Sequence, residues 1–168
     1  MSDIIIKEVK TKKDLDRFIQ FNYDLYKGND CAVPELYTDL KATFSPEKNA
    51  SLEFCDFRLF TAERDGKTVG RVAAIINRRA NETWNTRNVR FGWIDFIDDY
   101  SVSAMLLDTV AQWGKEQGMN AMQGPMGFID FDREGMLIEG FDRIGTMSTH
   151  YNYPYYPEHR KRYGREKE

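Results

Sequence analysis

Acidic side chains and four glycines are threaded through GPMGFIDFDREGMLIEGFD, residues 124–142, and a metal site is the first chemistry to test there. Asp130, Asp132 and Glu134 followed by Gly135 imitate the opening of a calcium loop, where alternate carboxylates and a glycine turn converge on one cation. Phe141 then stands where the closing bidentate Glu is required, and no helical pattern flanks the loop, so the calcium reading is excluded. Asp130 and Asp132 are read as acceptors for turn amides, with carboxylate-pair acid–base work left open. His150 and His159 are the only histidines and have no Ser or Cys partner at a recognisable spacing, so no catalytic triad is predicted, although His150 can line a pocket. Cys31 and Cys55 are too few for a disulfide scaffold and are not spaced as a metal knuckle. No metal is therefore predicted, and a reducing, cytoplasmic setting is expected.

Asp95 is a carboxylate inside the apolar run VRFGWIDFID. Half-buried beside Trp93 and Ile97, it has a raised pKa or serves as a hydrogen-bonded strand residue. Arg78, Arg79 and Arg87 flank a polar stretch and are read either as phosphate contacts or as solvated arginines. Met119, Met122, Met126 and Met136 read as core filler.

The charges, 24 basic and 27 acidic residues, are mixed along the chain and sum to −3, so no global field favours nucleic acid or an anionic membrane. The tail EHRKRYGREKE, about 158–168, interrupts its basic residues with glutamates and is expected to be free of structure. MSDIIIKEVK lacks the apolar run of a signal peptide, and no stretch reaches the ~20 apolar residues of a membrane span.

The elements that must position these groups follow from period and caps. Ile4–Ile6 predict a strand, and Thr11 with Asp14 starts a helix whose stripe is Leu15, Phe18, Ile19, Leu25 and Tyr26, ending at Gly28. A short helix near 35–44 sits in a long Pro-punctuated connection. Asp65-Gly66 predicts a tight hairpin between strands at 57–64 and 67–76. NRRANETWNTRN reads as a loop. VRFGWIDFID alternates Phe91, Trp93, Asp95 and Ile97 on one side with Gly92, Ile94, Phe96 and Asp98 on the other, both largely apolar as in a central strand. Asp99 or Ser101 caps a helix carrying Val102, Met105, Leu106, Val110 and Trp113, stopped by Gly118. MNAMQGPMGF predicts a further strand and PYYPEHRKRYG a short final helix. The order describes one α/β (α+β) domain over residues 1–168, with a mixed, mostly antiparallel central sheet flanked by helices.

At KTVGRVAAIINR, GWIDFIDD, LLDTVAQWGKEQGMNAMQGPMGFIDFDREGMLIEGFD and YNYPYY, the chain resembles a bacterial branch of the GNAT superfamily, the acyl-CoA-dependent N-acyltransferases. The resemblance covers about residues 31–157. It implies transfer of an acyl group from acetyl-CoA or another acyl-CoA to an amine acceptor, a small molecule or peptide. The strand GWIDFIDD would splay from its neighbour and leave backbone groups for the pantetheine arm, and the next helix would aim its amides at the pyrophosphate. Phe96, Ile97, Asp98, Tyr100, Ser101, Val102, Ser103 and Ala104 are then the cofactor contacts and Asp95 the base. Tyr155 or Tyr156 is the acid for the thiolate; these two and Tyr163 are equally read as packing aromatics.

Two departures set a second expectation beside the first. IDDYSVSAM holds no Gly-rich phosphate loop, and Asp98 and Asp99 would repel a pyrophosphate, which fits a non-catalytic domain that binds a small ligand or a protein. The chain also stops at Glu168, so the closing strands of that fold are expected to be missing and the open edge to pair with a second copy in a homodimer.

Overall fold

The computed structural model describes residues 3–146 and 149–164. The opening isoleucines form a short strand, β1 (Ile5–Glu8). Thr11 then starts α1 (Lys12–Leu25) with a capping box, its hydroxyl accepting from the Asp14 amide at 3.1 Å while the Asp14 carboxylate accepts from the Thr11 amide at 3.0 Å. Reciprocal bonds of this kind satisfy donors that the first helical turn leaves orphaned. The connection carries α2 (Tyr37–Thr43) and a 3-10 turn at Ala50–Glu53.

β2 (Cys55–Arg64) and β3 (Lys67–Asn77) form the hairpin, with Asp65 and Gly66 at φ of +51° and +73°, the pair a tight primed turn requires. The polar stretch after β3, expected to be a loop, contains a helix, α3 (Arg78–Thr83). Asn77 makes it by capping: its side-chain oxygen accepts from the Ala80 amide at 2.9 Å. β4 (Asn88–Phe96) leads into α4 (Tyr100–Glu116), whose N-cap is Asp99. β5 (Ala121–Gln123) is shorter than the strand expected there, because Gly124-Pro125 follows at once and Pro offers no N–H to a ladder. α5 (Tyr155–Arg162) is the short final helix predicted within PYYPEHRKRYG and takes up the first residues of the tail, and residues 165–168 lie outside the described residues.

The five strands lie in the order β1-β2-β3-β4-β5, antiparallel except for the parallel pair β4-β5, so the sheet is mixed and open. α1 and α2 cover one face, where Phe18, Ile19, Leu40, Phe44, Leu59, Ile75 and Phe128 are buried together. α4 and α5 cover the other through Val102, Leu106, Val110 and Tyr156 against Val72, Ala74, Phe91 and Phe96. Each such fully buried side chain contributes about 1.5–3 kcal/mol. No helix among the described residues is long and apolar enough to cross a membrane.

One strand departs from the predicted alternation. Arg71 pairs with Asp95 but Ala73 pairs with Gly92, so β4 carries an extra residue between these partners. That residue is Trp93, at φ +44°, a conformation that costs a bulky aromatic residue energy and that only a β-bulge tolerates in a strand. The bulge flips the parity. Phe91, Ile94 and Phe96 all join the α4 face, while Trp93 packs on the α2 face and Asp95 reaches α1.

Candidate functional site

The bulge opens onto a cavity of about 210 Å³. Trp93 and Ile94 form its floor, Asn22, Tyr23 and Tyr26 of α1 one wall, and Ala32–Glu35 another; Pro125, Gly135, His150 and Tyr151 close the rest. Glu35 is its acidic lining residue. Its Oε2 accepts from Trp93 Nε1 at 3.1 Å, and the Tyr23 hydroxyl donates to its backbone carbonyl, which fixes the segment to α1. Burial raises the Glu35 pKa, against the opposing pull of Arg133, Arg71 and the Trp93 hydrogen bond. Burial lowers that of His150, which lines the cavity as the sequence allowed.

Asp95 lies beside this cavity in a closed network. Only 1% exposed, it takes Arg71 Nε and Nη2 at 2.8 Å each and Asn22 Nδ2 at 2.9 Å on one oxygen. Tyr156 at 2.9 Å and Tyr26 at 3.4 Å reach the other oxygen, and Tyr26 also donates to the Tyr156 oxygen at 3.0 Å. Arg71 in turn donates to the Phe18 carbonyl at 3.0 Å, so both buried charges have their hydrogen bonds met. Burial, then the Asp95 charge, raises the hydroxyl pKa of Tyr26 and Tyr156. Sequence reasoning passed over Arg71, Asn22, Tyr26 and Glu35. The legible signal was Arg71 itself, a cation in the apolar run of β3 with the anion Asp95 in the next strand.

The predicted cofactor contacts cluster at the end of β4 and the start of α4, and α5 lies across them. Tyr155 donates to the Phe96 carbonyl at 2.6 Å, and the Phe96 amide donates to the Tyr156 oxygen at 3.3 Å. Burial also raises the Tyr155 pKa. His159 stacks on Phe96, meets Asp98 Oδ1 through Nε2 at 2.9 Å and faces Ser103 Oγ through Nδ1 at 2.9 Å. The Ser-His-Asp order is present, yet Ser103 is 2% exposed and also bonds the Tyr100 carbonyl, so it locks α5 to α4 and cannot attack a substrate. Asp99 accepts from the Ser101 amide at 2.9 Å and pairs with Arg64 at 2.8 Å, which holds its carboxyl below the usual range. The first turn of α4 thus carries its own anion as a cap. Val102 is buried, and Ala104, Tyr100 and Ile97 are half-buried. Tyr163 bonds Asp108 on the outer side of α4, Arg78 pairs with Asp56, and Arg79 lies over the Phe54 ring, none of them among the cavity-lining residues.

Residues 124–146 form the remaining wall. Asp132 accepts from the Phe128 and Ile129 amides at 2.7 and 3.1 Å, so it holds the turn, while Asp130 is exposed. No cluster of three or more His, Cys, Asp or Glu groups suited to a metal occurs among the described residues. Asn152, fully buried, accepts from the Leu137 amide at 2.7 Å and donates to the Leu137 carbonyl at 3.1 Å, pinning this wall to the segment that leads into α5.

The mixed, open five-stranded sheet with its flanking helices matches solved proteins. A predicted acetyltransferase of Clostridium acetobutylicum with acetyl-CoA superposes with a TM-score of 0.51 at 11% identity, over 72% of this chain and 79% of that one. The aminoglycoside N-acetyltransferase AAC(6')-Iy, in complex with a bisubstrate analogue of CoA, gives 0.50 at 18% identity, over 75% and 81%. The chain has the GNAT fold. In sequence, Protein YghO of Escherichia coli (strain K12) is 30% identical over 160 residues, 95% of this chain and 41% of that protein. The bacterial ceramide synthase of Caulobacter vibrioides is 28% identical over 142 residues, 84% of this chain and 37% of that enzyme. The chain therefore spans about two fifths of the length of these relatives. No family model matches it. Within the GNAT fold, the bulge and the cavity lie on the α1 side of β4, and the α4 start with its covering α5 lies on the other.

Proposed function

We propose that the chain supplies the catalytic fold for transfer of an acyl group from acyl-CoA to an amine. The observation that carries this reading is the bulge at Trp93, beyond the last β4-β5 pair at Arg90 and Gln123, which sets a half-buried carboxylate, Glu35, in the cavity beside β4. Acetyl-CoA and a CoA analogue bound to two proteins of the same fold support the donor. A relative named for ceramide, an N-acylated amino lipid, supports an amide product.

In this reading Phe96, Ile97 and Asp98, with the α4 start from Tyr100 to Ala104, line the path of the cofactor. Tyr155, half-buried where Tyr156 is sealed, is the donor to the leaving thiolate once its hydroxyl is released from the Phe96 carbonyl. With its pKa raised, Tyr155 stays protonated, which suits donation to sulfur. Asp95 serves by holding Arg71, Tyr26 and Tyr156, because both its oxygens are already engaged. The two free cysteines support a reducing compartment as its setting. The open edge of the sheet is proposed to pair with a second copy.

A second reading, a non-catalytic ligand- or protein-binding domain, is favoured by the cover that Tyr155, Tyr156 and His159 place on Phe96 and by the carboxylates of Asp98 and Asp99 at the α4 start. Thermal-shift titration with acetyl-CoA separates the two. A ligand at a hundred times its dissociation constant adds about 2.7 kcal/mol to stability. A shift is expected for the acyltransferase, and no shift at millimolar acetyl-CoA leaves the second reading standing.

A further inference from the structure

We propose that Glu35 accepts the proton of the amine, and that the cavity it lines takes a linear primary amine bearing an apolar chain. This rests on the acyl-transfer reading above and adds to it the acceptor class and the base.

The geometry of Glu35 is that of a held base. Its Oε2 is oriented by Trp93 Nε1 at 3.1 Å, and Trp93 is itself held in the bulge, so the carboxylate lines the cavity together with Trp93 and Ile94. Asp95 has no such access: Arg71, Asn22, Tyr26 and Tyr156 surround it. Burial raises the Glu35 pKa, which brings its basicity closer to that of the group it must deprotonate. Lys27, Arg71 and Arg133 line the same cavity as His150, and Asp132 also acts on Glu35. Cations so close disfavour a second ammonium, which drives the amine toward its neutral, nucleophilic form.

The space selects the substrate. About 210 Å³ lies under the ~300–1,000 Å³ typical of sites for drug-sized ligands. An amine head of a few atoms fills it, and most of a multi-ring aminosugar would lie outside its lining. Val33 and Pro34 line it and are exposed, and Leu36 next in sequence is 67% exposed, so this side of the mouth, apart from the exposed Lys27, offers apolar contact to a chain that leaves the cavity.

The step balances with one acyl-CoA and one ammonium. Glu35 takes one proton, and the nitrogen lone pair attacks the thioester carbonyl. The C–N bond forms, the C–S bond breaks with its electron pair on sulfur, and a second nitrogen proton reaches the thiolate. The products are an amide, free CoA thiol and protonated Glu35.

The test uses acetyl-CoA and dodecanoyl-CoA as donors and n-butylamine, n-octylamine and kanamycin as acceptors, with CoA thiol release as readout. Calorimetry on the protein alone measures amine binding and, separately, acyl-CoA binding. Octylamine is expected to bind more tightly than butylamine and to be acylated, and kanamycin to do neither. Glu35→Gln is expected to lower kcat by roughly 10²-fold or more and to erase the acidic limb of the pH–rate profile, with acyl-CoA binding unchanged. Unchanged rate and profile in Glu35→Gln, equal use of kanamycin, or no octylamine binding overturns the proposal. Absent acyl-CoA binding with octylamine still bound overturns the acyl-transfer reading and the proton-acceptor role while leaving the amine cavity.

Discussion

The hydroxyl of Tyr155 donates to the carbonyl oxygen of Phe96 at 2.6 Å, at the end of the strand whose backbone a GNAT cofactor would share. In the proposed acyl-transfer reading, acyl-CoA and α5 would compete for this one acceptor. Tyr155→Phe frees that carbonyl and removes the proposed donor to sulfur. The expected outcome is acyl-CoA binding tighter by about 1 kcal/mol, roughly 5-fold, together with a lower kcat. Calorimetry and steady-state rates check it, and weaker binding in the variant would show that the tyrosine helps to hold the cofactor.

Asp95 and Arg71 are 1% and 2% exposed and depend on each other. Asp95→Ala leaves a buried guanidinium without its counter-ion and should cost about 3–5 kcal/mol. Replacing both, Arg71→Met with Asp95→Leu, should cost much less than the sum of the single changes. Urea denaturation of the three variants measures this directly.

Gly92 has no room for a side chain. A Cβ there would stand 2.4 Å from the Met126 carbonyl oxygen, which is backbone and cannot swing aside. Gly92→Ala should push residues 125–127 off β4 and lower stability by about 1–3 kcal/mol. Loss of protection at the Met126 amide, which bonds the Phe91 carbonyl at 2.9 Å, would report the same event in hydrogen exchange.

Two carboxylates titrate with opposite consequences for stability. Arg64 lowers the Asp99 pKa, so that pair stabilises the fold above the ordinary aspartate range and is lost as pH falls through the lowered value. Arg64→Ala should raise the Asp99 pKa, read from its carboxyl resonance. Burial raises the Glu35 pKa, so its contribution is present at acid pH and lost as pH rises through the raised value. Glu35→Gln should therefore be more stable than the parent at neutral pH, with the difference vanishing at acid pH. Thermal melts across pH test the crossover.

Much of the framework was legible because it rests on local chemistry. Thr11 with Asp14, Asp65-Gly66 and Asp99 each act within a few residues, and each does what its type implies. α3 escaped because its signal is one capping asparagine in a polar run rather than a period. The parity of β4 escaped for a deeper reason: a bulge is settled by what packs on both faces, and GWIDF reads as regular alternation until Phe44 and Phe128 take Trp93 and Arg71 takes Asp95. Of the site, Asp95, Tyr155 and Tyr156 do meet around Phe96. Glu35 lies 58 positions from Trp93 along the chain, in a connection without periodicity, and only the fold brings the two side chains together.

Asn152 ties Leu137 to the residues that enter α5 by bonding both the amide and the carbonyl of one peptide position, as a neighbouring strand would. The loop that carries Pro125, Arg133 and Gly135 and the helix that covers Phe96 are thereby tied together. A displacement of α5 would therefore pull on the loop that lines the cavity on the opposite side of β4. A single side-chain amide thus joins two parts of the chain that share no secondary-structure element.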